Sequence, residues 1–194
     1  YRFYPGDTVY YAMSFYAPSA YWNTKATPPY AIILSQFKMD SQPHGKLRLS
    51  NSGDYHLFYA GGSGTFDSLH KSNGDASDQA GVDLGVAAPN TWHDVKIYCK
   101  MKLDSTGELR VYFNGEKKID WRGRTLISDG GGSGGYVKFG MYTEIRDEKV
   151  VYMDAVTYDV NRMPAGFEDE SAWVASGRNQ PTVRLTSPTD GSRH

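Results

Sequence analysis

A single cysteine, no long apolar run and almost no net charge set the outer limits on this sequence of 194 residues. Cys99 alone cannot bridge to another position in the chain, so packing rather than disulfides must hold the fold. It occupies an apolar position of "DVKIYCKM", which suits a small buried hydrophobe rather than a nucleophile. The cysteine count leaves the cellular compartment open. No stretch of eighteen apolar residues occurs, which excludes a membrane-spanning helix. With 21 basic and 22 acidic side chains the formal net charge is −1, and no clustered basic footprint speaks for a nucleic-acid partner. Capped runs of 3.6-residue periodicity are scarce, so few helices are expected. A P-loop, a dinucleotide fingerprint and a G-x-S-x-G elbow are all missing.

Tyrosine and glycine are abundant, at 15 and 21 copies. Aromatic residues fit half-buried pleated surfaces and glycine serves turns and bulges, so the composition points to β-structure. The order of segments agrees. "TVYYAMSFY" places Val9, Tyr11, Met13 and Phe15 on one face, and "YAIILSQFKM" alternates Ile33, Ser35, Phe37 and Met39 against Ile32, Leu34, Gln36 and Lys38. "KLRLS" and "YHLFYA" flank a turn at "NSGD". "HDVKIYCKM" is expected to bury Val95, Ile97, Cys99 and Met101 and to expose Asp94, Lys96, Tyr98 and Lys100. Asn114-Gly115 separates two further strands, the strongest hairpin signal in the chain. "GGYVKFGMY" and "KVVYMDAVTYDV" complete the set. Eight to ten strands at such spacing predict an all-β, two-sheet antiparallel sandwich of the jelly-roll type.

Two stretches break the rhythm. Residues 61–89 are polar and glycine-rich, a long loop with one short strand at "GVDLGV" and, by its length, a functional one. Residues 1–163 are expected to form the domain, and residues 164–194 a linker or tail whose "TVRLTSPTDGS" resembles the opening strand of an immunoglobulin-like module. The chain starts at Tyr1 in what already reads as folded-domain sequence, as after processing or within a longer protein.

In "GGYVKFGMYTE", alternation sets Val137, Phe139 and Met141 against Tyr136, Lys138, Gly140 and Tyr142. Two phenols and an ammonium on one face, with a glycine leaving space between them, suggest a ligand surface. Four landmarks follow in order: "YPGDTVYYAMSFYAP", "IILSQFKMD", "NTWHDVKIYCKMKLDSTGELRVYFNGEKKID" and "YVKFGMYTE" with "VVYMDAV". Together, over Pro5 to Asp159, they resemble the jelly-roll polysaccharide lyases of the glucuronan-lyase type. The Y-x-K-x-G-x-Y strand is also similar to its counterpart in jelly-roll alginate lyases.

The resemblance implies a concanavalin-like sandwich with a concave polar groove, secretion from the cell, and β-elimination on a uronic-acid polysaccharide. A base removes the C5 proton, the C4 oxygen departs with a proton, and donors neutralise the carboxylate. By the same resemblance Tyr142 is the catalytic tyrosine, Gln36 binds the carboxylate and Lys138 is the supporting cation. A tyrosine base needs cations nearby to lower its pKa from about 10. Lys38 stands where the family carries histidine and joins the catalytic set. Arg2 is the candidate remnant of an arginine-bearing strand that precedes the family's Pro-Gly-Asp segment. Tyr136, His44 and Arg48 would shape the subsites, Arg48 by bidentate contact with a carboxylate.

Other residues read as structural. His93, beside Trp92, opens a strand, and the histidines at 44, 56 and 70 lack the spacing of zinc ligands. No cofactor is required by such chemistry, although Asp154 could help hold a structural calcium. The E-x-D-x-E strand of jelly-roll glucanases is absent, which speaks against a pair of hydrolytic carboxylates. Two alternatives remain open: a carbohydrate-binding or structural module that kept the groove without the base, and a subunit that packs with other extracellular domains by strand addition.

Overall fold

In a computed structural model the residues described are 2–19, 31–39, 42–50, 56–61, 81–126, 128–142, 150–164, 167 and 183–186. They form two antiparallel sheets. The strands are β1 (Thr8–Tyr16), β2 (Ala31–Met39), β3 (Gln42–Ser50), β4 (His56–Gly61), β5 (Val82–Val86) and β6 (Trp92–Lys100). They continue with β7 (Glu108–Phe113), β8 (Glu116–Arg122), β9 (Tyr136–Tyr142), β10 (Val150–Val160) and β11 (Val183–Thr186). One sheet has six strands in the order β11-β10-β1-β6-β7-β8, and the other has five in the order β5-β4-β3-β2-β9. A 3-10 turn, Gly130–Gly132, leads into β9, and no α-helix occurs among the described residues. The expected β-sandwich is the observed fold.

Period-two alternation builds the layer between the sheets. Tyr11, Met13 and Phe15 from β1 meet Leu34 and Phe37 from β2, all fully or almost fully buried. The Tyr11 and Phe37 rings pack edge to face at 5.8 Å, one from each sheet. Asn114 and Gly115 both take positive φ, 50° and 82°, and close the β7–β8 hairpin as their sequence predicts.

One expectation is corrected. Val95, Ile97, Cys99 and Met101 are buried, but Asp94 and Lys96 are buried as well, on the opposite face of β6. The reason is a second layer on the outside of the six-stranded sheet, where Tyr10, Ala12 and Phe167 cluster. Lys96 Nζ lies 4.6 Å from the centre of the Phe167 ring, and Ser14 Oγ donates to Asp94 Oδ1. A lysine stem covered by aromatic rings with its ammonium over a π-face is tolerated where a bare ammonium would not be. Beyond Pro164, two parts of the 164–194 segment are described, and both rest on this sheet. They are Phe167, whose ring meets Tyr10 at 5.4 Å, and β11, which pairs with β10 through Val150↔Thr186 to Met153↔Val183.

His93 occupies a structural position. Its ring lies between Phe15 and Phe113, with centroids at 5.4 and 5.5 Å. Asn114 Nδ2 donates to Nδ1 at 3.1 Å, which leaves the Nε2 hydrogen to donate to the Ala88 carbonyl at 2.9 Å. Burial holds its pKa below 6.5, against weaker upward pulls from Ala88, Asn114 and Asp94. A depressed histidine pKa means that the unfolded chain takes up this proton first, so His93 removes stability as pH falls through about 6.5. The denaturation midpoint should therefore fall between pH 7.5 and pH 5.5, and His93→Gln should flatten that fall. Burial likewise pushes the Cys99 thiol up to about 12, so the thiol is protonated and inert at neutral pH.

Candidate active site

The site is built on β2 and its neighbours in the five-stranded sheet. Leu34, Ser35, Phe37 and Met39 face inward and are buried, whereas Gln36 and Lys38 face out and are half-buried. Antiparallel register then decides what lies beside them, because residues directly opposite share a face. Gln36 stands opposite Lys138 of β9, and Lys38 opposite Tyr136. Lys138 Nζ sits 5.9 Å from the centre of the Tyr136 ring, as expected for outward neighbours two residues apart. Four of the residues singled out from the sequence are thus brought into one patch.

Tyr142 belongs to the next outward row. It stands opposite Ile33, and the register shifts between Ile33 and Ser35, where β9 carries Gly140 at φ +135°. That conformation is one that side-chain-bearing residues seldom adopt. Among the described residues, its chain neighbours apart, no atom lies within 4 Å of where a Cβ at residue 140 would be, so nothing described covers the surface between Lys138 and Tyr142. The two rows are about 10 Å apart along the strand. Tyr142 itself is 60% exposed. The edge position of β9 also corrects the reading of Phe139. It was expected on the buried face with Val137 and Met141, but it is 59% exposed, while those two pack against the core.

The approach of the chain to β9 is fixed by close packing. Phe3 N donates to the Gly135 carbonyl at 2.9 Å and Gly135 N to the Phe3 carbonyl at 2.7 Å. The Phe3 ring lies 2.2 Å from where a Cβ on residue 135 would stand, so only glycine fits. Arg2 Nη1 donates to the carbonyls of Ser133 and Gly134, ahead of β9 and outside the patch.

On the other side of β2, register brings β3 into the same rows. Lys46 stands opposite Gln36, and Arg48 opposite Ile33. The row through Gln36 therefore reads Lys46, Gln36, Lys138, and the next reads Arg48, Ile33, Tyr142. Arg48 and His44 lie on β3 but are each only 4% exposed, His44 at a register shift of the β2–β3 ladder. Both are covered, unlike the patch on β2 and β9.

Two features of this face were not singled out in the sequence. Lys46 could have been found, because in "KLRLS" it shares the parity of Arg48. The other is a pair from separate strands, His56 of β4 with Asp83 of β5: the ring Nδ1 donates to Oδ2 at 2.7 Å, and Gly85 N donates to Oδ1 at 2.8 Å. No local pattern announces a contact between strands 27 residues apart. Among the described residues Asp83 is the only carboxylate on this face, whereas Lys38, Lys46, Arg48 and Lys138 are all cationic. The arrangement can hold anions and can offer a phenol and an amide to a ligand lying across it.

Among the described residues no group of three or more His, Cys, Asp or Glu side chains is arranged to hold an ion. Asp154 Oδ1 accepts from Ala155 N at 2.7 Å, in a β10 bulge where Ala155 takes φ +48°. No described helix is long and apolar enough to cross a membrane.

Comparison with known proteins bears on this geometry in three ways. In sequence, no curated protein matches. In structure, the chain is similar to the endo-β-1,4-glucuronan lyase of the fungus Trichoderma reesei, with a TM-score of 0.57 at 16% identity, covering 80% of this chain and 69% of that one. It is also similar to the alginate lyase AlyC3, with a TM-score of 0.56 at 14% identity, covering 84% and 68%. Such identities establish a common sandwich fold. The family described as polysaccharide lyase matches residues 1–157, which include β1 to β9 and most of β10. On that match the chain belongs to the polysaccharide lyase family.

Proposed function

We propose that the protein is a secreted lyase that cleaves an acidic, uronic-acid polysaccharide by β-elimination. The observation that carries this reading is the meeting of Gln36, Lys38, Tyr136 and Lys138 on one outward patch, with Tyr142 across an open glycine step. A uronate carboxylate seated over Gln36 receives its amide hydrogens and the charge of Lys38 and Lys138. These groups stabilise the enolate-like dianion that forms when C5 loses its proton. Tyr142, as phenolate, takes that proton. The C5 electron pair then forms the C4–C5 double bond as the C4–O bond breaks, and the phenol returns the proton to the departing oxygen. Proton and charge balance, and Tyr142 ends as it began.

Lys38 in the place of the family's histidine favours a second reading, a binding module without turnover. One experiment separates them. Polyglucuronate, alginate and pectate are incubated with the protein, and the ultraviolet absorbance of the unsaturated product is followed. A rise on at least one polymer is expected. A folded protein that binds these polymers yet gives no rise on any of them would leave the module.

A further inference from the structure

We infer that Lys46 completes the site on its β3 side, and that the substrate it selects carries carboxylates on two successive sugars, one on each side of Gln36. This rests on the elimination reading above and adds a residue and a substrate requirement to it. Lys46 and Lys138 stand directly opposite Gln36 from the two flanking strands. At a strand spacing of about 4.8 Å their backbones are roughly 9.6 Å apart, with one neutral amide between them. A glutamine amide can donate to a carboxylate but carries no charge to neutralise it. Lys138, beside the Tyr136 ring, serves the β9 side. Lys138 and Lys38 already neutralise the carboxylate held there, so a third ammonium crowded onto it would add only repulsion among cations, whereas a second anion on the β3 side gives Lys46 a partner of its own.

The ordinary explanations of a strand lysine fit Lys46 poorly. Lysine on a sheet often guards an edge against association, but β3 lies inside the sheet with β4 on one side and β2 on the other. Lysine also pairs with a cross-strand carboxylate, but its partners in register are Gln36 and Ala60. The carboxylate described on this face, Asp83, is held by His56 and Gly85 two strands away. A half-buried ammonium in the middle of a sheet face, in line with an amide and a second ammonium, is placed for an anion from outside.

The test compares wild type, Lys46→Met and Lys46→Arg on two polymers. One is a homopolyuronide, and the other alternates uronate with a neutral sugar. Wild type should show the lower KM on the homopolymer. Lys46→Met should raise that KM roughly two- to fivefold, the worth of a partly exposed ion pair. Its kcat, its melting temperature and its KM on the alternating polymer should stay unchanged. Its KM should also become less sensitive to salt, and Lys46→Arg should restore the wild-type value. Equal shifts on both polymers, a fall in kcat, or no shift at all would overturn the inference. Should wild type eliminate neither polymer, the elimination reading fails by itself. Retardation in gels containing homopolyuronide then decides for Lys46: weaker retardation of Lys46→Met supports its role, and equal retardation removes it.

Discussion

Tyr142→Phe should lower elimination by roughly 10²- to 10⁴-fold, the usual worth of a positioned acid–base group. The magnitude follows from the double duty assigned to one phenol: it takes the C5 proton and returns it to the leaving oxygen, so phenylalanine deletes both transfers. KM should move little, because the charges that hold the uronate sit on other residues, Lys38 and Lys138. Stability should also move little. Tyr142 is 60% exposed and its cross-strand neighbour is Ile33, so losing one hydroxyl there falls within the usual half kilocalorie of a surface change. The measurement is initial-rate absorbance with a melting curve beside it. A variant that keeps wild-type turnover would take the proton transfers away from Tyr142 and direct attention to Lys38, whose place in the family pattern is that of the histidine.

Which features could be read from the sequence depended on how local their physics is. Alternation in β1 and β6 gave the inward faces correctly because each strand writes its own period. In β2 it failed, because the register shift between Ile33 and Ser35 puts Ile32 and Leu34 in the core with Phe37 and Met39. The Asn114-Gly115 turn was equally local, since the residues that tolerate positive φ are the ones the turn needs. The outward placement of Gln36, Lys38, Tyr136 and Lys138 was also legible, strand by strand. Their meeting was not, because register between β2 and β9 joins positions about a hundred residues apart in the chain. Phe139 stands opposite the inward Ser35 yet is exposed, because β9 is the edge strand of its sheet, and strand order cannot be read from one strand's alternation. Asp94 and Lys96 looked like solvent-facing residues because what buries them, Phe167 and the Ser14 hydroxyl, comes from elsewhere. Their polarity is satisfied by neighbours, and sequence shows the polarity but not the neighbours.

The second large effect couples core and site through a single strand. Phe37 lies between Gln36 and Lys38 in the chain and points the other way, 1% exposed, with its ring against Tyr11 of the facing sheet. Phe37→Ala should cost about 3–5 kcal/mol, from lost transfer free energy plus the cavity left behind. The upper part of that range is expected, because its cross-strand neighbour on β3 is Gly45, which has no side chain to lean into the space. For a domain of this size such a loss lowers the melting temperature by roughly 6–20 °C and removes a large share of a typical stability. Activity should respond differently. The hydrogen-bond ladders to β3 and β9 still fix the register of Gln36 and Lys38, so turnover per folded molecule should stay near wild type well below the new midpoint. Denaturant midpoints at 25 °C and initial rates at low temperature measure the two effects separately. A stability loss under about 1 kcal/mol would mean that β2 does not pack across the sandwich through Phe37. A loss of turnover in fully folded protein would mean that the ring, and not the ladders, sets where Gln36 and Lys38 point.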